Sequence, residues 1–184
     1  MSGQFRIGLI GCAGNGRKTL AAEASSCLGI PLLQSSSITG SILRRDGYDY
    51  LSGEPVEKFL SMREEEIVAR RIESEDAMDS FISDRTVIDC LAYYMLTAER
   101  RDDSRFEEME RLVLSHLPRY THLFYIPPNT SKLVDNGVRT LSRGFQQMVD
   151  WMLRGMISDY GLDVIMLKSA ELGCLVSKLQ GEVK

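Results

Sequence analysis

The stretch that decides the fold is FRIGLIGCAGNGRKTLAAEA, residues 5–24. A short apolar run, Phe5 to Ile10, passes into glycines at 11, 14 and 16 and then into helix-forming residues from about Thr19 to Leu28. Gly29 follows as a helix stop. Glycine lets backbone N–H groups approach a ligand closely, and a helix start adds positive potential. Phosphate is therefore the expected guest of a strand–loop–helix of this kind. A tight turn with no ligand is the plain alternative.

Two phosphate readings fit. In a triphosphate loop, G-x-x-x-x-G-K-[ST], Gly11 and Gly16 have the right spacing, but Arg17 stands at the lysine position and Lys18 at the hydroxyl position. Thr19 falls one place late. Either Arg17 holds the phosphates, as a more rigid fork than lysine, or the loop is one residue longer and Lys18-Thr19 serve as phosphate lysine and magnesium hydroxyl. The other reading is a dinucleotide turn, G-x-G-x-x-G, which Gly11, Ala13 and Gly16 match with one substitution. That fold wants a carboxylate at the end of the second strand, where this chain has Gln34-Ser35-Ser36-Ser37. It also wants a substrate domain that 184 residues do not supply.

Working outward, further apolar runs lie at Ile30 to Leu33, Phe81-Ile82, His122 to Ile126 and Val164 to Leu167, with helical patterns between them. Strands alternating with helices predict one α/β domain over 1–184: a five-stranded parallel sheet between helices. The helix at Phe145, Met148, Val149, Met152, Leu153, Met156, Ile157 and Tyr160 has core spacing. Val56, Phe59, Leu60 and Ile67 give the helical region before Arg71 a face to bury. The charged stretches 63–71 and 99–111 read as solvated helix faces.

Composition narrows the partners. Lys and Arg number 22 against 26 Asp and Glu, a net charge of −4, which disfavours nucleic acid as the partner. Cys12, Cys27, Cys90 and Cys174 are scattered without metal-ligand spacing and read as reduced thiols. No run approaches the roughly 18 apolar residues of a membrane span, and Met-Ser-Gly-Gln-Phe-Arg lacks the basic and then apolar regions of a signal peptide. The expected compartment is the cytoplasm, the host's if the source is viral.

Two downstream stretches carry chemistry. SDRTVIDCLAYY, residues 83–94, places Asp84 and Arg85 after the third run and Asp89 and Tyr93 on the helix that follows. An aspartate at a strand's C-terminal end shares a sheet edge with the glycine loop, where it can hold a magnesium water or accept a hydroxyl proton. Arg85 beside it can bind an acceptor phosphate or the transferring group; a helix cap with a surface ion pair is the alternative. FYIPPNTSKLVDNGVRTLSRGF, residues 124–145, ends the fourth strand in two prolines and spaces Arg139 and Arg143 four apart on the next helix. Arginines on a lid over about 127–145 could close on phosphates and exclude water.

These elements together resemble the small P-loop kinases grouped with the ribosylnicotinamide kinase domain and with phage deoxynucleoside monophosphate kinases. The resemblance spans nearly the whole chain: GCAGNGRKTLA, the D-R-x-x-x-D-x-x-A-Y element, the F-Y-x-P-P strand end, and Asp135, Gly137 and Arg139 as a D-x-G-x-R lid. It closes with the long helix and Gly-Leu-Asp-Val-Ile. It implies a catalytic centre at Asp84 and Arg85, an acceptor side at Asp89 and Tyr93, and a lid at Arg139 and Arg143. The departure is the loop, where Arg17 aligns with the family's lysine; Thr19 fits a phage variant, G-K-D-T, whose hydroxyl comes one residue late.

The resulting expectation is transfer of the γ-phosphoryl group of ATP, with Mg²⁺, to a nucleoside, nucleotide or related small acceptor. Backbone amides of 13–18 cradle the phosphates, within a nucleotide site of Gly11, Ala13, Gly14, Asn15, Gly16, Arg17, Lys18, Thr19 and Leu20. Thr19 and Asp84 hold the metal. Gln34, Ser35 and Arg44, after the second strand, stand with Asp89 and Tyr93 at the acceptor entrance. Rival expectations are a phage-type kinase acting on hydroxymethylated pyrimidines in DNA through Arg44, Arg45, Arg70, Arg71, Arg100 and Arg101, a non-catalytic nucleotide-binding relative, and a small NAD(P) module. A homodimer is compatible with each.

Overall fold

A computed structural model describes residues 4–49, 56–97, 103–129 and 142–181. Strand β1 (Arg6–Ile10) is buried along its whole length, and its side chains alternate between two cores. Ile7 and Leu9 face one side, where helix α1 (Arg17–Leu28) lays Leu20, Ala21 and Ala24 against them. Ile10 faces the other. Gly8 lies between them because an added Cβ would meet Thr86 Cγ2 at 2.6 Å. Helix α1 ends at Gly29 in the left-handed conformation, φ 66°, as its position suggested.

The other strands are β2 (Leu32–Leu33), β3 (Phe81–Ser83), β4 (His122–Tyr125) and β5 (Ile165–Met166). All pairings are parallel and the order is β2-β3-β1-β4-β5. The five apolar runs thus become the five strands of the expected sheet. Its second face is covered by α2 (Ser35–Arg45), α3 (Val56–Ser61), α4 (Glu64–Asp76), α5 (Val87–Thr97), α6 (Asp103–His116) and α7 (Arg143–Asp159), while α8 (Leu172–Gly181) joins α1.

Two expectations about helix faces need correction. The stretch 63–71 is not a solvated face: Glu64 and Arg71 are buried, as is Glu75 one turn on. These charges sit at helical spacing with Ile67 and Val68, so the apolar stripe carries them into the core. On α7, Val149, Leu153 and Met156 are buried as their spacing predicts, but Met148 is half exposed because it lies on the edge of the stripe. Met148, Trp151, Met95, Phe106 and Tyr160 line an open groove of about 700 Å³ between α5, α6 and α7. No described helix is long and apolar enough to cross a membrane. The expected lid falls largely on 130–141, so Asp135, Gly137 and Arg139 lie outside the described residues, as do Arg100 and Arg101.

Candidate active site

The C-terminal ends of β1, β3 and β4 converge on one sheet edge, and the glycine loop crosses it. Gly11, Gly14 and Gly16 take φ of 153°, 80° and 91°. Those angles turn the chain out of β1 and into α1, whose N-cap is Gly16 with no side-chain cap. The N–H groups of Ala13, Gly14 and Gly16 find no hydrogen-bond partner among the described residues. Open donors beside an uncapped helix N-terminus form an anion cradle.

The loop is braced from below by side chains. Asn15 is buried, donates Nδ2 to the Ile126 carbonyl at 2.9 Å and accepts the Arg17 N–H at 3.2 Å. Its side chain therefore ties the loop to the end of β4 rather than facing a nucleotide. Asp89, fully buried on α5, accepts the Gly11 N–H at 3.0 Å and Arg17 Nη1 at 2.5 Å with one oxygen. Its other oxygen accepts the Thr86 N–H at 2.8 Å and the Thr86 hydroxyl at 2.7 Å, closing the start of α5. Asp89 was expected on the acceptor side; it lies under the loop instead, with both oxygens engaged. Burial opposes the Arg17 charge, but Asp89 more than offsets it, so the guanidinium is held still more firmly protonated than usual.

Lys18 and Thr19 are exposed on the first turn of α1, and Lys18 makes no ion pair among the described residues. Leu20 does not belong to the nucleotide site. It is buried against the sheet and its N–H bonds to the Gly16 carbonyl, leaving nothing to offer a phosphate. Cys12, in the loop, is buried; burial pushes its thiol up to about 11, which keeps it a protonated core residue.

At the end of β3, Asp84 is 6% exposed and accepts the Ser35 N–H at 2.7 Å through Oδ1, anchoring the start of α2. Its Oδ2 makes no hydrogen bond among the described residues. Arg85 is 8% exposed, with its guanidinium 4.5 Å from the Tyr93 ring centroid and Nη2 3.6 Å from Glu64 Oε1. Its Nε and Nη2 are buried and make no hydrogen bond among the described residues. Burial opposes this charge too, yet Cys90, Glu64 and Tyr93 around it raise its pKa above the ordinary arginine value. A buried cation with unsatisfied N–H groups is a seat for an anion.

Among the other expected residues, Gln34 is the N-cap of α2, Arg44 is exposed on its last turn, and Tyr93 is half-buried with its ring against Phe145. Arg143 is exposed at the start of α7, where the Ser142 hydroxyl caps the helix by accepting the Phe145 N–H at 3.0 Å. Magnesium fits this donor set. Mg²⁺ asks for one or two carboxylates and completes its shell with phosphate oxygens and water, and Asp84 keeps one oxygen open. Among the described residues no acidic, His and Cys cluster could hold a metal without such help.

No protein-family model matches the chain, and no curated protein matches it. Solved structures do. The deoxyadenosine kinase from M. mycoides with bound dATP superposes at a TM-score of 0.68 and 13% identity, over 96% of this chain and 99% of that one. The NadR protein in complex with NAD and AMP-PNP gives 0.64 and 14% over 90% of this chain. This chain spans 45% of the NadR chain. YorR from Bacillus subtilis, in complex with phosphorylated GDP, gives 0.58 and 17% over 96% of this chain and 94% of that one. The fold is that of the P-loop kinases.

The strand order makes the same point independently. A dinucleotide-binding fold places its second strand beside the first, in the order 3-2-1-4-5. In this P-loop fold β1 pairs with β3 and β4, and β2 lies at the edge. The NAD(P)-module expectation fails on that pairing.

Two contributors were missed in the sequence. Gln146 on α7 is buried and donates Nε2 to the Ala13 carbonyl at 2.6 Å, holding the loop from above. A glutamine on the α7 stripe, three residues before Val149, was the available signal. Arg71 is fully buried and donates Nη1 to the Ser83 hydroxyl at 2.7 Å and to the Arg85 carbonyl at 2.5 Å, fixing the backbone that presents Asp84.

Proposed function

We propose that this chain is an ATP-dependent phosphotransferase acting on a nucleoside, a deoxynucleoside monophosphate or a related small acceptor. The observation that carries the proposal is the pair Asp84-Arg85 at the end of β3. One offers an open carboxylate oxygen and the other buried, unsatisfied N–H groups, on the sheet edge that also holds an open amide cradle. The cradle binds the phosphate chain. Where the acceptor is a hydroxyl, Asp84 accepts its proton as the hydroxyl oxygen bonds to the γ-phosphorus and the bond to the β-phosphate oxygen breaks; where it is a monophosphate, the attacking phosphate oxygen is already ionised and no proton is transferred. Arg85 meets the charge that builds on the transferring oxygens, in a site already desolvated. Magnesium, where bound, would be held by a first-turn hydroxyl such as Thr19 and, through a bound water, by Asp84, and it would supply positive charge against the phosphate oxygens. Arg139 and Arg143 are the lid arginines in this reading, and Gln34, Ser35, Arg44 and Tyr93 border the acceptor.

A small acceptor is favoured over DNA by the state of the arginines near α2. Arg45 pairs with Asp46 and Glu66, Arg63 with Asp46, and Arg70 with Glu66, while Arg71 is buried. Among the described arginines of this surface, Arg45, Arg63 and Arg70 are thus committed to carboxylates and only Arg44 is exposed without an ion pair, which leaves little charge for contacting the phosphates of a duplex. The buried Arg17–Asp89 pair favours a second reading, a nucleotide-binding relative without turnover.

The test is incubation with γ-labelled ATP and Mg²⁺ across nucleosides, nucleoside monophosphates and hydroxymethylated duplex DNA. Label in a small acceptor is expected. Label in DNA alone would overturn the acceptor assignment. ATP binding without label in any acceptor would establish the non-catalytic reading.

A further inference from the structure

We propose that the two consecutive cations of the loop are divided, Arg17 serving as an internal brace bound to Asp89 and Lys18 as the cation that meets the nucleotide's phosphates. This deepens the kinase reading and rests on it. Arg17 occupies the position where a triphosphate loop carries its phosphate lysine, yet its side chain runs beneath the loop. Nη1 lies 2.5 Å from Asp89 Oδ1 and 3.5 Å from the Leu9 carbonyl, and the side chain is 11% exposed. Asp89 is fully buried, and Arg17 is its one ion-pair partner among the described residues.

The same Asp89 oxygen holds the Gly11 N–H, and the other closes the start of α5 at Thr86. One carboxylate thus ties together the first residue of the loop, the first residue of α1 and the first turn of α5. Moving Arg17 to a phosphate would leave that carboxylate buried against neutral donors alone, which a low-dielectric site penalises heavily. Phosphate has a cheaper partner one residue on. Lys18 is exposed, on the uncapped first turn of α1, on a flexible four-carbon stem, and without an ion pair among the described residues. The helix turns by about 100° per residue, so the two neighbours face different directions and have no need to compete.

Asp89 is then a positioning residue for the loop rather than an acceptor contact. The test is equilibrium dialysis of labelled ATP, in EDTA so that no divalent cation screens the phosphates, beside thermal unfolding of each variant. Lys18→Met is expected to weaken ATP binding at least tenfold with an unchanged unfolding midpoint. Arg17→Met is expected to lower the midpoint, and Arg17→Met with Asp89→Asn to recover most of the lost midpoint and, with it, ATP binding. The proposal is overturned if Lys18→Met binds ATP like the parent. It is equally overturned if the double variant regains its midpoint and still binds ATP at least tenfold more weakly. Should neither Arg17 variant fold, the Lys18→Met affinity decides alone. A parent chain that binds no ATP even when the dialysis is repeated with Mg²⁺ overturns the kinase reading itself, a result distinct from either of these.

Discussion

Gly11 bears the tightest steric demand of the loop. A Cβ there would stand 2.3 Å from Asn15 Nδ2 and 2.6 Å from the Ile126 carbonyl oxygen, at a φ of 153° that side chains rarely adopt. The asparagine could swing away only by giving up its tie to β4, and the carbonyl belongs to backbone. Gly11→Ala is expected to cost about 1–3 kcal/mol from strain, plus about 1 kcal/mol for the lost hydrogen bond, read as a lower urea midpoint. A midpoint within error of the parent would show that the loop is not braced as described. The glycines themselves were legible in the sequence, because their spacing between strand and helix has few other uses. What Asp89 and Asn15 do was not. Asn15 is a polar residue in the glycine loop and Asp89 one on the helix beside it, and only three-dimensional packing shows that their polar atoms turn inward to hold the backbone.

At the scale of the element, α4 shows how a charged helix can be read wrongly. Glu64, Ile67, Val68, Arg71 and Glu75 are buried on one face, with Arg71 and Glu75 a turn apart and 3.7 Å between their charged atoms. His116 Nε2 lies 2.8 Å from Glu75 Oε2, and the Tyr120 hydroxyl donates to Glu75 Oε1 at 3.0 Å. The network therefore runs from the end of β3 to the far end of α6. Arg71→Met leaves Glu75 without its buried cation and the Arg85 carbonyl without a donor from α4, with an expected cost of about 3–5 kcal/mol. Arg70→Met, on the exposed face with Glu66, is expected to cost at most about 1 kcal/mol. Urea denaturation of the two variants side by side checks this, and equal losses would contradict it. The helical period was visible in the sequence. Charge masked it, because a stretch so rich in Glu and Arg reads as solvated unless each charge is tested for its place on the apolar stripe.

For the whole molecule, the decisive property is the strand order. Five short apolar runs predict a parallel sheet, and the helical segments between them predict helices on its faces. Neither tells which strand lies beside β1, since pairing Gly8 with Ser83 joins residues far apart in the chain. That pairing brings Asp84 and Arg85 next to the glycine loop, at the carboxyl ends of the strands where α/β folds bind their ligands. Had β2 lain beside β1, the chain would have presented Gln34 and the serines there, and no carboxylate. Phosphoryl transfer at this edge is the central claim, and Asp84 is the residue on which it turns. The direct measurement is single-turnover transfer from γ-labelled ATP to the best small acceptor that reacts through a hydroxyl, parent beside Asp84→Asn, with ATP binding measured on the same samples. The account predicts a loss of about 10²–10⁴-fold in the transfer rate with ATP binding retained. Transfer at the parent rate in Asp84→Asn would contradict it.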